Sequence, residues 1–322
     1  MRYLLLLIIS YSYIWANAHI FVYHRFADTK HKSANTTIKE LTKEFEYFKK
    51  NNYKVVPLKQ IIDKVNKKEK VPDNWIALTI DDAYKSFYQH GLEVFKKYNY
   101  PFTLYVYVEA TNRNFGDFMS WKEIKETSKY GDIGLHSYGH PHLLNLTNEQ
   151  IIEDTQKSYD IFTKKLGFTP KTYAYPYGEY DTRVKAQLKK FKFDAILNQN
   201  TGSITSKSDT QDINRGALVG KVNIKHKLRY KTFDATWIEP LSFPDKDFLT
   251  VVKAKVDPKI KKLKLYITGH GWRDIKVKNG IINETVNVRL TRARTRLMLG
   301  TDVFTISNHI ITKKIKRKKN AK

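Results

Sequence analysis

The chain has 322 residues, 41% of them apolar, enough for one large domain or two moderate ones with a real core. It has no cysteine, which excludes disulfides, thiolate catalysis, cysteine-type zinc sites and a cysteine-borne lipid anchor. Its formal net charge is +26, and residues 216–322 carry 26 Lys/Arg against 8 Asp/Glu, a field that favours anionic partners.

The first residues read as a secretory leader. Arg2 supplies the positive end, Leu4 to Ile9 begins an apolar stretch, and Ala16-Asn17-Ala18 fits a small-residue cleavage site, so residues 1–18 are expected to be removed. An uncleaved membrane anchor is the alternative, but the run is short and interrupted by Ser10, Ser12 and three tyrosines. No later stretch is long and apolar enough to span a bilayer. The expected location is therefore the bacterial periplasm or cell surface. Among anionic partners, an envelope surface or an acidic glycan then fits the basic half, and nucleic acid does not. A lysine-rich solvated surface with no partner fits the charge equally well.

From residue 19 to about 215 short β-type runs alternate with amphipathic stretches. The runs are Ile20–His24, Lys54–Pro57, Trp75–Ile80, Phe102–Val108, Ile133–His136, Thr172–Tyr175 and Phe193–Leu197. Thr37 and Glu40 form a capping box before a helix carrying Ile38, Leu41, Phe45 and Phe48. Thr147 and Gln150 form a second, before a helix that Gly167 and Pro170 end. The alternation predicts parallel strands with crossover helices, and about seven units predict an α/β barrel, complete or distorted, more than an open sheet. Chemistry in such barrels collects where strands end, and His24, Asp81, His136 and Pro176 stand at such ends.

After Arg215 the helical period disappears. Runs at Phe248–Val256, Leu263–Thr268, Gly280–Val288 and Arg289–Leu299, with turns at Asp257-Pro258 and Asn279-Gly280, predict a smaller all-β, sandwich-like domain over 216–312. Apolar residues are even-numbered at Val286, Val288 and Leu290 but odd-numbered at Ala293, Leu297 and Leu299, which predicts a bulge or strand break near Thr291. Residues 313–322 read as a basic tail.

Two features carry chemistry. Asp81-Asp82 follows the run at Trp75–Ile80, and His136-Ser137-Tyr138-Gly139-His140 follows Ile133–Leu135. Two imidazoles four apart with one carboxylate suit an open divalent-metal site, and a spare carboxylate can act as a base toward water. The plainer alternative has Asp82 capping a helix from Tyr84 to Tyr98. His142 reads as a surface or supporting residue. A third feature, Tyr173-Ala174-Tyr175-Pro176-Tyr177-Gly178, is a turn in which Pro176 fixes the backbone and Gly178 lets the chain pass close to a ligand, so that the Tyr177 N–H can face an oxyanion. An ordinary aromatic turn is the alternative.

Together, Thr79-Ile80-Asp81-Asp82, His136-Ser137-x-x-His140-Pro141 and Tyr175-Pro176-Tyr177-Gly178 resemble the first three motifs of the polysaccharide deacetylase family (the NodB-homology or type 4 carbohydrate esterases), over about residues 19–215. The resemblance implies a deformed barrel with one divalent metal, zinc first and cobalt, nickel or iron otherwise. It implies removal of N-acetyl groups from a cell-envelope or extracellular polysaccharide. Asp81 would be the base, Asp82, His136 and His140 the metal ligands, and the Tyr177 N–H an oxyanion donor.

The sequence departs from the family at two points. Ala174 stands where the family has an arginine that holds the base, and Arg215 is offered as a replacement from another segment. The late acid histidine is absent from its usual place, and Phe21-Val22-Tyr23-His24 resembles the circularly permuted, exported poly-N-acetylglucosamine deacetylase branch, where that histidine comes first. His24 is therefore the expected acid, with His270 a rival placed in a turn of the all-β part. Tyr175, Pro176, Trp121 and Arg215 are expected to meet substrate. A non-catalytic glycan-binding protein on the same fold, and an O-acetyl esterase or deformylase, are the alternative readings.

Overall fold

The computed structural model describes residues 17–314. Most of the expected leader and most of the basic tail lie outside these residues. Among the described residues no helix is long and apolar enough to cross a membrane.

The first part is built on one parallel sheet. Its strands are β1 (His19–Tyr23), β2 (Lys54–Val55), β3 (Trp75–Ile80), β4 (Thr103–Val106), β5 (Asp132–Leu135), β6 (Thr172–Ala174), β7 (Ala195–Leu197) and β8 (Gly216–Ala217). They lie in the order β8-β1-β3-β4-β5-β6-β7, with β2 on the edge of β3. Every pairing is parallel, as crossover helices require. β1 is buried along its whole length, so it reads as a continuous apolar run rather than an alternating one.

The helices between these strands include α1 (Ile38–Lys50), α2 (Leu58–Asn66), α3 (Leu92–Tyr98), α4 (Val108–Asn112), α5 (Trp121–Thr127) and α6 (Asn148–Leu166). α1 opens on the Thr37–Glu40 capping box and buries Leu41, Glu44, Phe45 and Phe48. α6 opens on the Thr147–Gln150 box and ends on left-handed Gly167. The expected helix over residues 84–98 forms from Lys85 onward and is widened in its middle. A π-type turn over Phe87–Gly91 precedes α3, and Asp82 and Ala83 before it are left-handed.

The sheet does not stop at Arg215. Gly216 and Ala217 pair with Phe21 and Val22, and Leu218 and Ile224 are buried in the same core as Phe21 and Phe45. Two residues earlier, Ile213 bridges Leu197 on β7. The segment 213–217 thus touches both edge strands and draws the open sheet into a deformed barrel. Two backbone hydrogen bonds also join Ala18 to Ile204, and Asn17 accepts from the Ser203 hydroxyl. The last residues of the expected leader therefore pack against the barrel.

The second part is antiparallel apart from one short parallel edge pairing. β9 (Lys231–Thr232), β12 (Lys262–Ile267), β13 (Gly271–Lys276), β15 (Arg294–Gly300) and β16 (Thr305–Thr312) form one sheet in the order β9-β16-β15-β12-β13. β10 (Thr236–Glu239), β11 (Phe248–Lys255) and β14 (Ile281–Arg289) form the other. Leu249, Val252 and Ile282 from the smaller sheet share a core with Leu265, Leu297 and Ile311 from the larger. The parity switch is a strand break: β14 ends at Arg289 and β15 starts at Arg294. The expected strand at 289–299 therefore begins five residues later. β13 and β16 were not anticipated, because their apolar residues alternate over too few positions to stand out.

Candidate active site

The site forms at the carboxyl ends of β1, β3, β5 and β6. Adjacent side chains on an extended strand face opposite ways, so Asp81 and Asp82 need a backbone break to share one mouth. Asp81 continues the pairing of β3, its N–H donating to the Tyr23 carbonyl at 2.9 Å. Asp82 then has φ +72° and Ala83 φ +57°, which turns the second carboxylate toward the first. Ser137 (φ +66°), His140 (φ +46°) and Tyr177 (φ +58°) are left-handed too. Such strain, of order 1–3 kcal/mol per residue, persists only where the surroundings enforce it.

Hydrogen bonds enforce it on the histidine loop. Asp154 of α6 accepts from the backbone N–H groups of Tyr138 and Gly139 at 3.0 and 2.8 Å, and Ser137 Oγ accepts from the His140 N–H at 2.9 Å. The sequence reading missed Asp154. Its signal was a carboxylate three residues after Ile151, on the buried stripe of α6.

The two imidazoles and Asp82 converge. His136 Nε2 and His140 Nε2 are 3.2 Å apart, and they lie 3.4 and 3.3 Å from Asp82 Oδ1. Donors about 2.0–2.1 Å from a tetrahedral ion lie about 3.3–3.4 Å from each other, so the triangle fits three corners of such a site. His136 Nδ1 sits 2.7 Å from the Ala174 carbonyl oxygen, to which it donates, leaving Nε2 as the acceptor that faces the triangle. Burial lowers both histidines to about 4, so both are neutral at pH 7 with lone pairs to offer. Asp82 therefore does not cap a helix, and the residue at position 174 contributes through its backbone.

Asp81 is fully buried behind the triangle, its Oδ2 4.0 Å from His136 Nε2. Arg215 forks it, with Nη1 donating to Oδ1 at 2.7 Å and Nη2 to Oδ2 at 2.9 Å. Arg215 also donates from Nε to the Asn198 carbonyl and from Nη1 to Thr79 Oγ1. Burial, the largest single influence, would raise the Asp81 pKa, but the Arg215 guanidinium, with His136 and His24 adding to it, brings the carboxyl well below its usual range.

Of the residues expected to meet substrate, Arg215, Tyr175 and Pro176 are buried. Arg215 is 0% exposed, with donors from all three of its nitrogens engaged, so it orients Asp81 and cannot touch a polymer. Tyr175 and Pro176 are buried, Tyr175 stacking on Tyr180 and donating to the Gln211 carbonyl. Trp121 is half-buried at the start of α5 (Trp121–Thr127), its indole N–H directed to Asn112. Gly178, at φ +64°, passes close to Gln199: a Cβ there would lie 2.6 Å from the Gln199 side chain.

His24 directly follows β1, half-buried and near enough to Asp81 and His140 to act on both electrostatically. Its Nδ1 is buried without a hydrogen-bond partner among the described residues. His270 is remote from this cluster and meets the Arg289 carbonyl in the second part. Tyr177 is 38% exposed, its ring stacked on His142 at 4.1 Å and edge-on to His140 at 4.5 Å. His142 is paired with Glu179 at 2.8 Å, a supporting contact the sequence did not suggest.

Comparison with known proteins agrees with this geometry. Residues 68–196 match the family model described as polysaccharide deacetylase. A chitin deacetylase of Cryptococcus neoformans is 31% identical over 123 residues, 37% of this chain and 25% of that protein. A poly-β-1,6-N-acetyl-D-glucosamine N-deacetylase of Staphylococcus aureus is 28% identical over 171 residues, 49% of this chain and 59% of that protein. The matched regions thus span between a quarter and about three-fifths of these relatives. In fold, the chain resembles the Streptococcus pyogenes deacetylase PplD in complex with acetate, with TM-score 0.62 and 18% identity over 67% of this chain and 98% of that one. It also resembles IcaB from Ammonifex degensii, with TM-score 0.58 and 21% identity over 63% and 92%. His24 and Arg215 lie outside the segment that matches the family model, so their placement rests on the geometry above.

Proposed function

We propose that this chain, which belongs to the polysaccharide deacetylase family, is an exported, metal-dependent N-deacetylase of an acetylated amino-sugar polymer of the cell envelope or extracellular matrix. The observation that carries the reading is the donor triangle of Asp82, His136 and His140 beside a carboxylate that Arg215 holds ionised. Those three residues would hold one divalent ion, with zinc the first choice for two imidazoles and a carboxylate. When bound, such an ion supplies Lewis acidity to the amide carbonyl and makes water a better nucleophile.

The chain's own groups do the rest. Asp81 takes a proton from the attacking water, and the Arg215 fork keeps its carboxylate fixed while it does so. The Tyr177 N–H donates to the oxyanion that develops on the former carbonyl oxygen. His24, protonated, donates to the leaving nitrogen, which departs as an amine while acetate is released. The exposed Tyr177 ring is the surface most available to a sugar at the mouth. The basic second part offers an anionic envelope or glycan surface a place to bind.

The deciding experiment is acetate release from acetylated chito-oligosaccharides and β-1,6-linked oligomers, with and without a chelator. Chelator-sensitive release supports the reading. Tight glycan binding with no release would show a binding protein, and cleavage of chromogenic acetyl esters alone an esterase. Sequencing the N-terminus of exported protein reads the processing site, since cleavage after Ala18 would remove its pairing with Ile204.

A further inference from the structure

The second part of the chain reaches the catalytic mouth through one side chain. Arg294, the first residue of β15, donates from Nη1 to the carbonyl oxygen of Tyr177. Its strand is anchored in the module by pairing with Thr312, so the guanidinium is delivered from a framed position rather than from a loose loop. The carbonyl it holds belongs to a bulky residue in the left-handed region, φ +58° and ψ 4°, a conformation that needs external support.

Two further contacts close around the same residue. The His142 ring stacks on the Tyr177 ring, 4.1 Å between centroids and 9° from parallel. Buried Glu179 pairs with His142 at 2.8 Å and lies within electrostatic reach of Arg294. Backbone and ring of Tyr177 are thus gripped separately, the backbone by the second module and the ring by the barrel.

We propose that Arg294 is a positioning residue for the deacetylation, fixing the Tyr177 backbone so that its N–H keeps the direction the oxyanion requires. This makes the all-β module part of the working site and not only an attachment surface. The proposal rests on the reading of the Tyr177 N–H as oxyanion donor. Without the Arg294 bond, Tyr177 relaxes toward an ordinary backbone region and the N–H turns away.

The test uses full-length, metal-loaded protein with Arg294→Ala and Arg294→Lys, each checked for unchanged metal content. Kinetics on acetylated chito-oligosaccharides should show kcat falling about 10- to 100-fold in Arg294→Ala, below the loss of a whole oxyanion donor, with KM changed less than about two-fold. Arg294→Lys, which keeps one donor, should recover part of the loss. Amide exchange of the peptide covering residues 172–182 should speed up in Arg294→Ala. Unchanged kcat and exchange would overturn the proposal, and so would a rise in KM with kcat retained, which would make Arg294 a polymer contact. Failure of the wild-type protein to release acetate would sink the deacetylase reading itself. Exchange alone would then judge the clamp, and exchange equal to wild type would overturn it.

Discussion

At the scale of single residues, the site depends on pairs that are wrong when halved. Asp81 is buried, and the Arg215 fork is the main charge that keeps it ionised there. Replacing Arg215 with Gln should leave that carboxylate without its counter-charge and destabilise the fold by about 3–5 kcal/mol, measurable by denaturant unfolding. Asp81→Asn keeps the shape and one of the two oxygens that accept from Arg215, and removes the proposed base. It should retain full metal content and lose about 10²- to 10⁴-fold in turnover. His24→Ala should cost a similar factor on amide substrates, because a poor leaving group needs a proton, and much less on an activated ester. Equal losses on both substrates would remove His24 from the role of acid. These residue types were legible in the sequence, since motifs name carboxylates and imidazoles directly. The partners that hold them were less so. Asp154 and Glu179 lie far along the chain from the groups they orient, and Arg215 could be offered only as a candidate.

At the scale of elements, helices and strands declared themselves through period and caps. Trp75–Ile80 and both capping boxes form as their patterns require, because those signals are local. Left-handed turns at Ser137 and Tyr177 had no local signal, since neither is glycine, asparagine or aspartate. They exist because surrounding hydrogen bonds enforce them. The packing of α1 on β1 makes a further prediction. Glu44 is buried on the inner face of α1, accepts from the Tyr23 hydroxyl at 2.7 Å, and is pushed up to about 7 by burial. Because its folded pKa lies above its unfolded value, its stabilising contribution is complete below about pH 4.5 and is lost as pH rises through about 7. Glu44→Gln should therefore stabilise the protein at pH 8 by on the order of 3 kcal/mol and leave it unchanged at pH 4. Parallel unfolding curves for the two proteins across that range would contradict this.

At the scale of the whole molecule, two cores meet at a polar seam. The barrel buries its own clusters around Phe21 and Ile20, and the β sandwich buries another around Leu265. Between them run hydrogen bonds such as Thr232 to Ser203 and Arg294 to Tyr177, and the Lys207–Asp234 pair. A seam of this kind couples modules weakly compared with a shared apolar core. Calorimetry should show two transitions, with metal raising only that of the barrel, by about 4 kcal/mol when free metal is about 1,000-fold above its dissociation constant. A single transition that moves as a unit with metal would mean the seam is stronger than its contacts suggest.

The sequence by itself determined the succession of parallel strands and helices, the change to antiparallel β structure, and the kinds of group that gather at strand ends. Period, caps and motif chemistry act over a few residues, so a linear reading captures them. Tertiary structure alone decided which side chains face the mouth. It buried Tyr175, Pro176 and Arg215, and it carried the barrel sheet past Arg215 into Gly216–Ala217. It supplied the Ala174 carbonyl as a partner for His136 and brought Arg294 across the seam to Tyr177. Those outcomes depend on burial and on contacts between residues far apart in the chain, such as Arg215 and Asp81 at 134 positions, which no local pattern encodes.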